Sequence, residues 1–428
     1  MTRFLHTADW QIGRQFATFD PEHAPILAEA RITAVEQLAA LATQHKVDAV
    51  LVAGDVFDAQ TVSERTLRRL FNALSGYAGP WLMISGNHDA ALAESVWTRA
   101  RRLGIVPPNV HLLLTPAVPL FAELGFAVLP APLVQRHTYE DLTSWFDAAE
   151  TPAGLLRIGL AHGSVQGILA EDIDATNPIA PDRAASARLD YLGLGDWHGC
   201  KRIDARTWYA GTPEPDRFKA NEAGHALLVE IEAPGAQPLV TPLAVARYRW
   251  QSMDLSLQVP TDVDALCDRL GTLDAHHVVD LRVQGQTDLA GLQRLQASIG
   301  RAEARARHLQ ADLGALRLVP TDEDIAGLQV DGYLGELVEE LRGMQGGADA
   351  AQARTAQGAL ALLAEALAQR VPAATATAAS TTVAPATATG TAAVATATAA
   401  VATAPATAAA SPGAPPTASS SAPAMEVA

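Results

Sequence analysis

Cysteine is scarce in this chain, with two among 428 residues, Cys200 and Cys267. They form no close pair, which leaves two reduced thiols and excludes both a disulfide framework and a thiolate zinc site. Basic residues are in deficit too: 31 Lys and Arg stand against 47 Asp and Glu, a net charge of -16. That balance argues against gathering nucleic acid by bulk attraction, which needs a basic surface. Any such contact must use local patches or a partner. No apolar run approaches the roughly 18 residues of a membrane-spanning helix. The opening "MTRFLHTADW" lacks the basic start and long apolar stretch of a signal peptide. The expectation is a soluble, cytoplasmic protein. Hydrophobic residues, by contrast, make up 49%, ample for a core, and the length predicts two folded units rather than one.

Composition divides the chain. From Pro372 onward there is no Leu, Ile, Phe, Lys or Arg, and only Glu426 is charged. Such side chains bury too little surface to offset the entropy of ordering a backbone, so 372–428 reads as a disordered Ala/Thr/Pro-rich tail. Earlier, the runs "RFLHTA", "DAVLVAG", "PWLMISG", "FAVLPAP", "LRIGLAHG" and "YLGLGD" read as buried strands. Helical stretches separate several of them, such as residues 25–45 with Ile26, Ala30, Ala34, Leu38 and Leu41 along one side. Alternation of this kind predicts an α/β layered fold over 1–246. A smaller α+β unit is expected over 247–345, built from "YRWQSMDLSL", "TDVDALCDRLG", "HHVVDLRVQG", "LAGLQRLQASIGRAEARARH" and "GALRLVP". An amphipathic helical segment over 346–371 precedes the tail.

Polar groups recur at the ends of the buried runs. "LHTAD" ends in Asp9, with Gln11 beyond; "VLVAGD" ends in Asp55; "LMISGNHD" ends in Asn87, His88 and Asp89; "GLAH" ends in His162; "LGLGD" ends in Asp196, with His198 beyond. Glycines at 54, 86, 163 and 195 flank these positions and let the backbone turn sharply. Taken singly, an Asp after a strand is a cap or turn residue and a lone His is a core residue. Five such ends together predict one shared pocket. Asp196 and His198 are expected on one side of an extended backbone. So many carboxylates and imidazoles exceed the needs of one structural zinc and suit two divalent cations sharing an Asp. Such a pair serves hydrolysis of a phosphate ester. Cys200, close by, has no activating neighbour and reads as packing.

In order and spacing these motifs resemble those of the calcineurin-like metallophosphoesterases. Within them, "FLHTADWQIG", "GDVFDAQTVSERT" and "WYAGTPEPDRF" resemble segments of the SbcD family, the nuclease subunit of bacterial SbcCD. That resemblance, over roughly residues 1 to 345, implies a two-sheet sandwich flanked by helices, with a capping unit. It implies Asp9, Asp55 and His198 at one metal, and Asp55, Asn87, His162 and Asp196 at the other, Asp55 bridging. His88 would contact the phosphate and assist the departing oxygen, with Asp89 orienting its ring. It also implies a manganese-dependent nuclease acting on DNA ends, with an SbcC-like SMC-type ATPase as partner, a possible homodimer, and a nucleoid-associated setting. Gln11 and Asp196 stand where the family has imidazoles. These oxygen donors favour Mn²⁺ or Mg²⁺ over zinc, hold the first metal less tightly, and predict a more alkaline optimum.

Candidate DNA contacts are Arg14, Arg65, Arg68, Arg69, "RARR" at 99–102, Lys201 and Arg202, each equally readable as a solvated helix face. Leu360, Leu363, Ala364 and Leu367 form a stripe that docks either on a partner's coiled coil or on its own domain. Two further functions stay open: a phosphatase or cyclic-nucleotide phosphodiesterase, and a DNA-end scaffold disabled at Gln11 and Asp196.

Overall fold

The computed structural model describes residues 1–168, 176–321, 324, 333–347 and 349–370; the expected tail, 372–428, lies outside them. Branched and aromatic residues, which fit a pleated surface, make the first strands: β1 (Thr2–Thr7), β2 (Ala49–Ala53), β3 (Trp81–Ile84) and β4 (Val110–Leu112). Next come β5 (Leu120–Phe121), β6 (Phe126–Ala131), β7 (Leu156–His162), β8 (Ser164–Val165), β9 (Pro178–Ile179) and β10 (Tyr191–Gly195). Four more complete the larger unit: β11 (Lys201–Arg202), β12 (Thr207–Tyr209), β13 (His225–Ile231) and β14 (Leu239–Ala244).

One six-stranded sheet has the order β14-β13-β1-β2-β3-β4 and the other β11-β12-β10-β7-β6-β5. β1 to β4 pair in parallel, as do β12, β10, β7 and β6. The central strands of each sheet therefore end at one rim, and Gly195 lies level with His162. Between the sheets, Phe4, Leu51, Leu82 and Ile84 meet Phe126, Val128, Ile158, Leu160 and Tyr191 in one core. On the outer face of the first sheet pack helices α1 (Ala24–Gln44), α2 (Glu64–Ala73) and α3 (Val96–Arg102). The buried face of α1 is broader than the predicted stripe. Ile26 is half-buried, while Leu27, Arg31 and Val35 are buried.

After the short helix α4 (Arg183–Ser186), the smaller unit runs β15 (Arg249–Leu257), α5 (Pro260–Gly271), β16 (His277–Thr287), α6 (Leu289–Glu303) and β17 (His308–Leu318). Its three strands are parallel, in the order β15-β16-β17, around Met253, Leu266, Leu281, Leu295 and Ile299. The predicted last helix ends early and the last strand begins early. The Arg307 backbone N–H reaches the His277 carbonyl at 2.9 Å, so the open edge of β16 captures the chain before the helical run of residues is exhausted.

Helices Tyr333–Gln345 and Ala350–Arg370 follow. Leu360 and Leu363 pack with Val338 and Leu341, so this part of the stripe covers its own chain. The side chains of Ala364 and Leu367 lie outside those described. Among the described residues no helix is long and apolar enough to cross a membrane.

The seam between the sheets holds a buried pair of ionisable groups, His6 and Tyr191. His6 of β1 is fully buried, its Nδ1 2.9 Å from the Tyr191 hydroxyl, and burial lowers its pKa to about 3. A neutral buried imidazole stabilises the fold fully above the ordinary histidine value, and this contribution is lost as pH falls toward 3, because the unfolded chain takes up the proton first. Between neutral pH and about pH 5 the loss is about 2 kcal/mol. Urea unfolding at both pH values is expected to show that loss in wild type and a smaller one in His6→Gln; equal losses would contradict it.

Candidate metal centre

The loops after β1 and β2 are joined by backbone hydrogen bonds: Asp9 N–H to Gly54 O at 3.1 Å, Gln11 N–H to Asp55 O at 3.0 Å and Ile12 N–H to Val56 O at 2.9 Å. Asp9, Gln11 and Asp55 all adopt left-handed backbone, with φ of 54°, 48° and 52°. Each costs of order 1 kcal/mol for a residue with a side chain. The strain turns their side chains into one space. Gly86 and Gly195 are required by close approach: a Cβ at Gly86 would lie 2.2 Å from an Asp55 carboxylate oxygen, and one at Gly195 would lie 2.1 Å from the Ala53 carbonyl.

Five strand ends meet in this space. His162 donates from Nδ1 to the Ala53 carbonyl at 2.8 Å, which turns Nε2 toward Asn87 Oδ1 at 3.1 Å, Asp55 Oδ1 at 3.6 Å and Asp196 Oδ1 at 3.8 Å. Asp9, Asp55 and His162 offer ligand atoms all within 4.8 Å of one another. Asp55 lies between the two halves: its Oδ2 accepts from the Gln11 amide at 2.7 Å and its Oδ1 from the His88 backbone N–H at 2.9 Å. The Asp196 backbone N–H points at Asp9 Oδ1, 3.1 Å away.

Two expectations are corrected. Residues 196–198 are not extended: β10 stops at Gly195 and the chain bends, with Asp196 at φ 101°. Asp196 therefore reaches His162 through a turn and not through strand alternation. Asp89 does not hold the His88 ring. Its carboxylate accepts from the Gly86 and Phe57 backbone N–H groups at 2.6 and 3.1 Å, so it ties the turn 86–89 to the β2 loop. The ring of His88 is held instead by the Asp58 carbonyl, 2.8 Å from Nδ1.

Two groups that hold the site together carry no expectation from the sequence. Asp216 is buried and lies 3.2 Å from His198 Nδ1, 3.3 Å from Arg14 and 2.9 Å from Arg217. Burial alone would raise its pKa, but His198, Arg217 and Arg31 hold it well below the usual range. With Asp216 at 3.2 Å and a terminal nitrogen of Arg217 at 3.0 Å, Nδ1 of His198 is engaged, which leaves Nε2 as the nitrogen available to a cation. No local spacing links Asp216 to His198, so the sequence carries no direct signal. The other is Arg31, on the apolar stripe of α1. Its guanidinium donates to the Trp10, Asp9 and Glu214 carbonyls. A lone charge at the spacing of buried Leu27 and Val35 was the signal to read.

Charge in the pocket is unbalanced. Burial raises the pKa of Asp9 to about 6, with Asp55 and Asp196 adding to the effect and His198 and His162 opposing it. Burial raises Asp196 too. His162 is pushed down by burial, yet Asp55, Asp9 and Asp196 outweigh this and raise it to about 9. The Gln11 carbonyl oxygen is buried with no hydrogen-bond partner. Crowded carboxylates, a buried unpaired oxygen and an imidazole with Nδ1 already engaged fit divalent cations. Cys200 is half-buried, with its thiol pKa raised by burial and by Glu222, which disfavours the thiolate.

Most of the basic residues expected at the rim bind their own chain. Arg14 pairs with Asp58 and Asp216, Arg68 with Glu64, Arg69 with Glu29 and Arg102 with Glu94. Arg99 and Arg101 bond the Val62 and Leu112 carbonyls. Arg202 bonds the Asp204 carbonyl, and Arg65 is exposed. Lys201 lies 5.5 Å from the Trp197 ring and Lys219, not foreseen, 4.3 Å.

Residues 2–181 match the calcineurin-like phosphoesterase family. The chain is 30% identical over 295 residues to the SbcD subunit of the SbcCD nuclease from Rhodobacter capsulatus, a match covering 56% of this chain and 69% of that protein. The Bacillus subtilis protein of the same name is 24% identical over 340 residues, covering 69% of this chain and 82% of its own. The DNA double-strand break repair protein Mre11 of Methanosarcina acetivorans is 25% identical over 252 residues, covering 55% of this chain and 38% of its own.

A histidine raised to about 9 is protonated at neutral pH, and a cation must displace that proton. Calorimetric titration of Mn²⁺ near pH 7.5, in buffers of different ionisation enthalpy, is expected to register release of about one proton. Release should fade toward pH 9 and vanish in His162→Asn. Binding without proton release in wild type would contradict this protonation state.

Proposed function

Because this chain belongs to the calcineurin-like phosphoesterases, in the family of the SbcD nuclease subunits, we propose that it is a metal-dependent nuclease hydrolysing phosphodiester bonds at DNA ends. In this reading it acts as an exonuclease with endonuclease activity, in DNA repair and recombination. The observation that carries it is the convergence of Asp9, Asp55 and His162, with Asn87 and Asp196 beside His162.

Asp9, Gln11, Asp55 and His198 would hold one cation and Asp55, Asn87, His162 and Asp196 a second. Mn²⁺ suits this oxygen-rich set, with Mg²⁺ an alternative. Bound there, the cations supply an activated water and a clamp for the phosphate oxygens. The chain's own groups do the rest. Asp216 and Arg217 engage Nδ1 of His198 and so leave Nε2 for the pocket. His88 must donate from Nδ1 to the Asp58 carbonyl, which can only accept. Nε2 is thereby left for the substrate; in the imidazolium form, with a second proton on Nε2, the ring would steady the phosphate and pass that proton to the departing oxygen, returning to the neutral Nδ1–H form. Asp89, bound to Gly86 and Phe57, keeps the turn carrying Asn87 and His88 in place.

An acidic chain needs help to hold DNA. Lys201, Lys219 and Arg65 are candidate phosphate contacts, and an SbcC-like SMC-type ATPase and a second copy of the chain are the partners this reading implies. Such a site admits a small phosphoester as well, so the substrate has to be tested directly. With Mn²⁺, wild type is expected to degrade linear duplex and hairpin DNA, and His88→Ala to lower kcat by about 10²- to 10⁴-fold. Rapid hydrolysis of small phosphoesters with no cleavage of DNA would select a phosphatase and overturn the nuclease.

A further inference from the structure

Arg31 is the one charged side chain on the buried face of α1, and all of its hydrogen bonds go to two loops. Nε donates to the Trp10 carbonyl at 2.6 Å, one terminal nitrogen to the Asp9 carbonyl at 3.0 Å and the Thr212 hydroxyl at 2.9 Å, and the other to the Glu214 carbonyl at 2.9 Å. None of these acceptors is a carboxylate. Burying a guanidinium on neutral acceptors is expensive, and a packing role would be met more cheaply by leucine or methionine. The guanidinium does have a specific effect on Asp9, whose backbone is left-handed at φ 54°. Holding the carbonyls of Asp9 and Trp10 to one side over-determines that strained peptide and sends the Asp9 carboxylate to the other side, into the pocket.

The second loop leads out of the pocket. The buried carboxylate of Glu214 accepts from the backbone N–H groups of Arg247 and Tyr248 at 2.7 and 3.1 Å, immediately before β15 of the smaller unit. Tyr248 and Val278 of that unit share a core with Leu27 and Ala30, one turn and one residue ahead of Arg31. A single stretch of α1 thus touches the smaller unit on one side and, through Arg31, the Asp9 peptide on the other.

We propose that Arg31 and Glu214 are positioning residues, a buried bridge through which the docking of the smaller unit and the geometry of the Asp9 carboxylate are coupled. A cation in the pocket and a seated smaller unit then each strengthen the other, as linkage requires. The proposal rests on the metal-centre reading above, but neither residue touches the cation or the substrate.

The test uses the full chain and Mn²⁺ alone. Its two readouts are calorimetric affinity and hydrogen exchange at the amides of Arg247 and Tyr248. In wild type, Mn²⁺ is expected to slow exchange at both amides. Glu214→Gln, outside the pocket, is expected to weaken Mn²⁺ binding about tenfold and to abolish the response of those amides. Arg31→Met should weaken binding about tenfold to a hundredfold, with partial rescue in Arg31→Lys. If Arg31→Met does not fold, Glu214→Gln carries the test. Wild-type affinity and an intact exchange response in Glu214→Gln, whatever its melting temperature, would overturn the coupling and leave the metal centre standing. A wild type that binds no Mn²⁺ would overturn both.

Discussion

Negative charge is packed into a small buried space where, among the described residues, no lysine or arginine forms an ion pair with Asp9, Asp55 or Asp196. Asp9, Asp55 and Asp196 surround one imidazole, His162, and the nearby guanidinium of Arg31 is spent on carbonyls and a hydroxyl. Carboxylates so placed either bind protons or bind cations. The raised values of Asp9 and His162 show the first response. The proposed metal pair is the second, and the proposed hydrolysis of a phosphate ester rests on it.

The rest of the architecture makes that crowding possible. Parallel strands in both sheets bring five chain segments to one rim, and the apolar seam between the sheets contributes about 1.5–3 kcal/mol for each large side chain it buries. Against that gain, three left-handed residues at the β1 and β2 loops cost a few kcal/mol. The strain persists because backbone hydrogen bonds between the loops, the Asp89 tether and the Arg31 clamp leave the chain no alternative path. Strain and unpaired charge are therefore concentrated at the same few positions, as expected where function and stability pull apart.

Much of this was legible in the sequence, because buried parallel strands read as continuous apolar runs and a ligand group directly after such a run has to lie at a sheet edge. Asp9, Asp55, Asn87, His162 and Asp196 were visible for that reason. What stayed hidden depends on pairs distant in sequence. Asp216 meets His198, and Asp58 offers His88 a backbone carbonyl, an acceptor every residue has. Asp89 was misread because adjacency in "NHD" invites a side-chain pairing, whereas the turn directs its carboxylate to backbone N–H groups. The early start of β17 was missed because helix propensity in "EARARH" was overridden by a free strand edge.

Whether these groups grasp two divalent cations is tested most directly by crystals grown with Mn²⁺ and measured near the manganese edge. The account predicts two anomalous peaks about 4 Å apart, both within bonding distance of Asp55, with Asp9 and His198 at one and Asn87, His162 and Asp196 at the other. Absence of any peak at Asp55, with the pocket folded and its side chains in place, would contradict it.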